Sequence, residues 1–166
     1  VPEKGINDLC AAVAAMPPAL RERTVLQLAG ASGWTGWPKS VRVQDMGSVP
    51  HAQMPDLYRQ ADVFVYPSYP THYWLEQWGL SVAEAMACGL PVITTDVGAF
   101  RELLPPTTLQ EQTIPARAWP TLREKLVNLA ESPTLRRTLG QQNRRWCVQE
   151  YDGRKLTAAY QQAWRT

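Results

Sequence analysis

Glu76 and Glu84 have seven residues between them, and Gly79 lies inside that interval, where the stretch Gly79 to Cys88 begins to read as a helix. A helix beginning there presents the unpaired backbone N–H groups of its first turn. Its dipole makes that end favourable for an anion. Gly79 has no side chain, so a diphosphate can approach the backbone closely. Ser81 adds a hydroxyl donor. Glu76 precedes the helix and would stand beside the anion, while Glu84 would lie about one and a half turns inside it. Carboxylates accept hydrogen bonds from ring hydroxyls, often two at once. The set therefore suits a sugar–diphosphate–ribose ligand, one hydroxylated ring at each end. Two glutamates at this spacing alone are more simply a loop charge and a solvated helix residue; the surrounding residues have to decide.

Short apolar runs alternating with helical patterns would position this set. Lys4 to Met16 reads as a helix with Ile6, Leu9, Val13 and Met16 on one face, stopped by Pro17-Pro18. Thr24 to Ala29 reads as a buried strand, and Gly30 to Lys39 as a loop of Gly, Ser, Trp and Pro. Val41 to Met46 alternates like a strand, Met54 to Gln60 reads as a short helix and Val63 to Tyr66 as a strand. An aromatic loop, Pro67 to Gln77, leads into the helix that ends at Gly89, and Val92 to Thr95 reads as another buried strand. Leu122 to Glu131, Leu135 to Glu150 and Lys155 to Trp164 read as helices. The expected fold class is α/β, a Rossmann-like parallel sheet with helices on both faces. Ligands of such sheets bind at the carboxyl ends of the strands, here after Gly30, Met46, Tyr66 and Thr95.

Composition narrows the partners. The chain has 166 residues, 45% hydrophobic and 19% charged, with a net charge of +2, and fits one soluble domain. It has no basic run interleaved with aromatics, so nothing points to nucleic acid, and no apolar stretch long enough to span a bilayer. Three cysteines, Cys10, Cys88 and Cys147, form no C-x-x-C pair, and His51 and His72 lie far apart. The sequence thus offers neither a disulfide framework nor a metal site, and free thiols suit a reducing cytosol. Cys88 reads as a packing residue and His51 as a surface turn residue.

The segment Ser68 to Leu104 resembles the signature of family-4 retaining glycosyltransferases, whose GT-B fold pairs two Rossmann-like domains. Glu76 and Glu84 match that family's Glu-seven-Glu motif. Gly79-Leu80, the stretch Glu84 to Ile93, and Thr95-Asp96-Val97-Gly98 with Glu102 match its wording. Upstream, Gly47 to Pro50, Leu57-Tyr58, Ala61-Asp62-Val63 and Lys4-Gly5 match as well. The resemblance implies the C-terminal, donor-binding half of such an enzyme. Glu76 would then contact the donor sugar, Glu84 the ribose and Lys4 the diphosphate. The amides around Gly79 and Leu80 would support the diphosphate, and the loop around Val49 would meet the base through backbone groups. Glu76 and Lys4 are the candidate catalytic residues, with Glu84, Gly79, Leu80, Ser81 and Val49 as donor-binding residues. No metal and no cofactor beyond the nucleotide-diphosphate sugar is expected.

The sequence also departs from that pattern. It begins just after where a strand and a Gly-Arg pair normally stand, so residues 1–166 read as a single nucleotide-sugar-binding domain truncated at its N-terminus. The acceptor-binding domain, which would bring a glycan or lipid acceptor, is absent from it. The missing strand normally lies in mid-sheet, and its gap would leave buried backbone groups unpaired. Either a second copy or a retained upstream piece is expected to fill it, giving a homo-oligomer in the first case. The loop Gly30 to Lys39 is shorter than usual and Tyr69 to Leu75 more aromatic, which reshapes the donor pocket. The expected location is cytoplasmic, with membrane association only through the missing domain. Two alternatives remain open: a nucleotide-sugar-binding module that catalyses nothing, and a nucleotide-sugar epimerase.

Overall fold

The computed structural model describes residues 2–30, 36–73 and 75–164. The tip of the predicted Gly30 to Lys39 loop, including Trp34, lies outside them. A 3-10 turn, Pro2–Lys4, leads through Gly5 into α1 (Ile6–Ala14). Pro17 and Pro18 end that helix as expected, and Pro18 also opens a short α2 (Pro18–Arg21). β1 (Val25–Ala29), β2 (Arg42–Gly47), α3 (Met54–Gln60) and β3 (Phe64–Tyr66) follow. The 67–79 loop then runs into α4 (Leu80–Ala87) and β4 (Val92–Thr95). Three short pieces that no periodicity announced come next: α5 (Phe100–Leu103), α6 (Leu109–Gln112) and β5 (Thr113–Ile114). The tail is α7 (Trp119–Glu131), α8 (Pro133–Glu150) and α9 (Gly153–Ala163). Among the described residues no helix is long and apolar enough to cross a membrane.

All strand pairing is parallel, as alternating strands and helices require. Among the described residues it forms two sheets rather than the single expected one: a pair, β1-β2, and a triplet, β3-β4-β5. Helices cover both faces. On β4, Ile93 packs into a cluster with Leu9 and Val13 of α1 and Leu122, Leu126 and Leu129 of α7. Its neighbour Val92 points the other way, to Val82, Ala85 and Met86 of α4 with Phe100 and Cys147.

Between the sheets lies a cavity of about 1170 Å³. Residues 24–30 line one side of it and residues 61–67 the other, with Leu9 and Val13 of α1 and Met16 just past its end beneath. This overturns the reading of Thr24 to Ala29 as a buried strand. Only Leu28 of β1 is buried, and Val25 is 42% exposed, because β1 has β2 on one edge and the cavity on the other.

A polar network anchors α8 to the triplet. The Gln112 amide oxygen accepts from Val92 N (3.0 Å) and Asn143 Nδ2 (2.7 Å). Gln112 Nε2 donates to Thr108 Oγ1 (2.8 Å) and Asn143 Oδ1 (2.9 Å), and Asn143 Nδ2 also donates to the Leu90 carbonyl (2.8 Å). Both amides are fully buried, so each lost partner leaves a polar atom dry. Asn143→Leu is expected to lower stability by about 2–3 kcal/mol. A urea midpoint that falls at constant m-value checks this; a loss below about 0.5 kcal/mol would show the network to be dispensable.

Candidate functional site

The site forms where three segments converge: the 3-10 turn Pro2–Lys4, the carboxyl end of β3, and the loop that enters α4. The first is tied to the third by a backbone bond from Tyr69 N to the Glu3 carbonyl, 2.9 Å. Lys4 Nζ therefore stands over the end of β3 and donates to Tyr66 Oη at 2.7 Å and to Glu76 Oε2 at 3.1 Å. The Tyr66 phenol in turn donates to the same carboxylate oxygen at 2.7 Å. Three side chains from three segments thus close a ring of hydrogen bonds, and the predicted catalytic pair, Lys4 and Glu76, is brought together.

Burial raises the Glu76 carboxyl, but the bonds from Tyr66 and Lys4, the Lys4 charge and the Gly79 amide outweigh it and hold the group below its ordinary range. Burial opposes the Lys4 charge too, yet its bonds to Tyr66 and Glu76 raise the ammonium on balance. Burial pushes the Tyr66 phenol up, and its bond to the Glu76 carboxylate reinforces this. At neutral pH the ring is therefore ammonium, phenol and carboxylate.

Gly79 caps α4 with φ +68°. A side chain there would start 2.5 Å from Phe100 Cε1, so no residue but glycine lets the helix start sit against that ring. Phe100, 1% exposed, also meets Tyr66 edge-on at 5.7 Å between centroids, and Phe64 stacks on Tyr66 at 6.2 Å. One buried ring thus sets both the phenol and the start of α4. Gly98, φ +57°, packs its bare Cα against the Glu76 carbonyl, which a Cβ would strike. The motif that contains Gly98 gave no sign of this close approach.

Leu80, Ser81 and Glu84 follow on α4, three and four residues apart and so on one face. Leu80 is 67% exposed and Ser81 borders the inter-sheet cavity near Lys4 and Tyr66. Glu84 does not point freely into solvent. Tyr58 Oη donates to its Oε2 at 2.9 Å, and His51 Nε2 lies 3.0 Å from its Oε1. His51 does sit in a 3-10 turn, His51–Gln53, but it reaches the second glutamate and belongs to the site's border. Val49, half-buried, lies in the short link between β2 and that turn. Tyr58 and Tyr66 were missed because strand and helix periodicity accounts for both as core aromatics. The clue available was a hydroxyl-bearing aromatic at a strand's carboxyl end. Cys88 is half-buried beside the end of α4, and Cys10 and Cys147 are buried. Asp96, at the end of β4, pairs with Arg101 instead of turning toward Glu76.

The arrangement sets the Lys4 ammonium and the start of α4 beside one fixed carboxylate, Glu76, with a second, Glu84, farther along the helix. Its pH dependence follows from the signs. A carboxyl held below its ordinary 4.5 stabilises the fold above that value and loses the contribution as pH falls through its own lower midpoint. An ammonium raised above its ordinary 10.5 contributes below that value and loses the contribution as pH climbs through its higher midpoint. The ring should hold across the whole neutral range and weaken only in acid or strong base. By carbon NMR, Glu76 should titrate below 4.5, and Lys4→Met should raise that midpoint. An unmoved midpoint would mean that Lys4 does not set the charge of Glu76.

Residues 1–146 match the family model described as Glycosyl transferases group 1. Over 112 residues the chain is 35% identical to the O-antigen chain mannosyltransferase B of Escherichia coli, covering 62% of this chain and 28% of that one. Over 54 residues it is 52% identical to the lipopolysaccharide core biosynthesis mannosyltransferase LpsB of Rhizobium meliloti, covering 32% and 14%. Among solved structures, a sucrose-phosphate synthase from Thermosynechococcus elongatus superposes with a TM-score of 0.79 at 26% identity, over 99% of this chain and 42% of that one. The Anabaena protein HepE, solved with UDP, superposes with a TM-score of 0.81 at 19% identity, over 99% and 46%, a likeness of fold. The chain spans less than half the length of each of these relatives. With the family model matched over most of its length, and with the fold of GT-B glycosyltransferases, the chain belongs to the glycosyl transferases group 1 family.

Proposed function

We propose that this domain binds a nucleotide-diphosphate sugar and presents it for transfer, with retention of anomeric configuration, to a glycan or lipid acceptor held by a further domain. The observation that carries the reading is the placement of Lys4 and Glu76 together at the mouth of α4, with Glu84 inside that helix. The diphosphate would lie against the amides of Gly79, Leu80 and Ser81, with the Lys4 ammonium moving onto it. Glu84 would accept from the ribose hydroxyls and Glu76 from the sugar. The base would meet backbone groups around Val49.

In this reading the bond between the anomeric carbon and the diphosphate oxygen breaks. Its electron pair leaves on the phosphate, where Lys4 and the helix dipole stabilise it. The acceptor hydroxyl attacks the same face, and its proton passes to the departing phosphate oxygen. Mannosyltransferase relatives and a UDP-bound neighbour fit a nucleotide-sugar donor, leaving base and sugar to direct titration. The reading needs no metal or further cofactor, and we propose a cytoplasmic location with any membrane association made through the further domain.

Calorimetric titration with UDP and GDP tests the roles. Glu84→Ala should weaken the binding nucleotide by about 1–3 kcal/mol, the range for a hydrogen bond to a charged group. Glu76→Gln should spare nucleotide binding while slowing transfer in a chain that includes the acceptor domain. Equal losses of nucleotide affinity in both variants would contradict the division.

We further propose that the cavity between β1 and β3 takes one more parallel strand. Among the described residues both edges that line it have a strand partner on the far side only, and an open strand edge is a ready template for pairing. Light scattering with mass spectrometry should find the 18.6 kDa chain either self-associated or carrying a peptide. A bare monomer of that mass would refute this.

A further inference from the structure

We propose that Tyr66 is a positioning residue of the donor site, whose phenol holds Glu76 ready for the sugar when Lys4 turns to the diphosphate. The inference rests on the donor-binding reading above. It starts from a conflict in the geometry: Lys4 Nζ lies 3.1 Å from Glu76 Oε2, so the cation meant for the diphosphate is already engaged by the carboxylate meant for the sugar. Glu76 is the more enclosed partner, its side chain 16% exposed against 37% for Lys4. Drawing the ammonium away would leave a half-enclosed carboxylate without its cation, and such a group protonates or swings out toward water.

The phenol removes the conflict because it bonds to both. It accepts from Lys4 and donates to the same Glu76 oxygen, each at 2.7 Å. When Lys4 leaves, the Tyr66 O–H remains on the carboxylate and keeps it ionised and aimed. The phenol itself cannot follow the ligand. It ends a strand, with Phe64 stacked on one side and the buried Phe100 against its edge. A phenylalanine would fill the same space and keep both ring contacts. It would leave Glu76 dependent on Lys4, so the sugar and the diphosphate would compete for one ion pair.

Tyr66→Phe separates this role from simple packing. In the ligand-free protein the Glu76 carboxyl should titrate at higher pH by carbon NMR, with Glu76→Gln identifying the signal. Across UDP, UDP-glucose, GDP and GDP-mannose, affinity for the binding nucleoside diphosphate should stay within about twofold. The extra affinity of the matching nucleotide sugar should fall about tenfold, as for one hydrogen bond to a charged group. The thermal midpoint should stay near that of the wild type. An unmoved Glu76 titration, or an equal loss of affinity for diphosphate and nucleotide sugar, overturns the proposal. If the wild type binds none of the four ligands, the donor reading fails as well, while the titration still shows whether Tyr66 governs Glu76.

Discussion

Everything that makes this a site rather than a helix start with two nearby glutamates depends on one shared oxygen, Glu76 Oε2, on which Lys4 and Tyr66 converge. The contact spans sequence distances of 72 and 10 residues, so neither local propensity nor helix register can create it. It needs β3 to end at Tyr66, the chain start to lie over that end, and the 67–79 loop to return beneath it. Each condition has its own fastening: the parallel pairing of Tyr66 with Thr94, the Tyr69 to Glu3 backbone bond, and the close packing of Gly98 on the Glu76 carbonyl. An ion pair whose cation is 37% exposed would contribute little by itself. The phenol between the partners turns it into a fixed geometry, since three mutually bonded groups restrict one another more than any pair does.

The buried support is as specific as the polar contact. Phe100 lies in α5, a four-residue helix at the family-like Gly98 to Leu104 stretch, and its ring touches both Tyr66 and the place where Gly79 lacks a side chain. A side chain at position 79 would push the start of α4 away from that ring, and a smaller residue at position 100 would free the phenol. The helix amides and the hydrogen-bonded ring are thus set by a common buried surface. The start of α4 and the phenol that holds Glu76 cannot be displaced independently.

Much of this was legible from sequence. The apolar runs ending at Ala29, Tyr66 and Thr95 became β1, β3 and β4, and the long periodic stretches became α1, α7 and α8. Glu76, Glu84, Gly79 and Lys4 were singled out by motif. What escaped had no period to reveal it. α2, α5 and α6 are four residues each, and β5 is two, too short for a repeat of 3.6 or 2 to register. The roles of Tyr58, Tyr66 and His51 depend on which hydroxyl or imidazole meets which carboxylate across the fold. A pattern of apolar residues contains no such information. The reading of Thr24 to Ala29 as buried failed for a different reason: composition reports what a strand is fit to bury, and β1 lacks a neighbour on one edge to bury it.

The two glutamates, alike in the motif, are made unlike by their surroundings. Glu76 is enclosed, bonded to a cation and to a fixed phenol, and held ionised by both. Glu84, 36% exposed, has one buried partner in Tyr58 and one open partner in His51, whose side chain is 86% exposed. Burial and the Glu84 carboxylate both push the Tyr58 phenol up, so that partner remains a donor at every physiological pH. His51 can swing away with small loss of contact, because nearly all of its surface already faces water. One carboxylate is therefore held in place, and the other can give up its imidazole without leaving its phenol. Rigidity matters most where a bond would break and charge would shift. In the proposed reading the far end has only to recognise a ring, and there an adjustable acceptor would suffice.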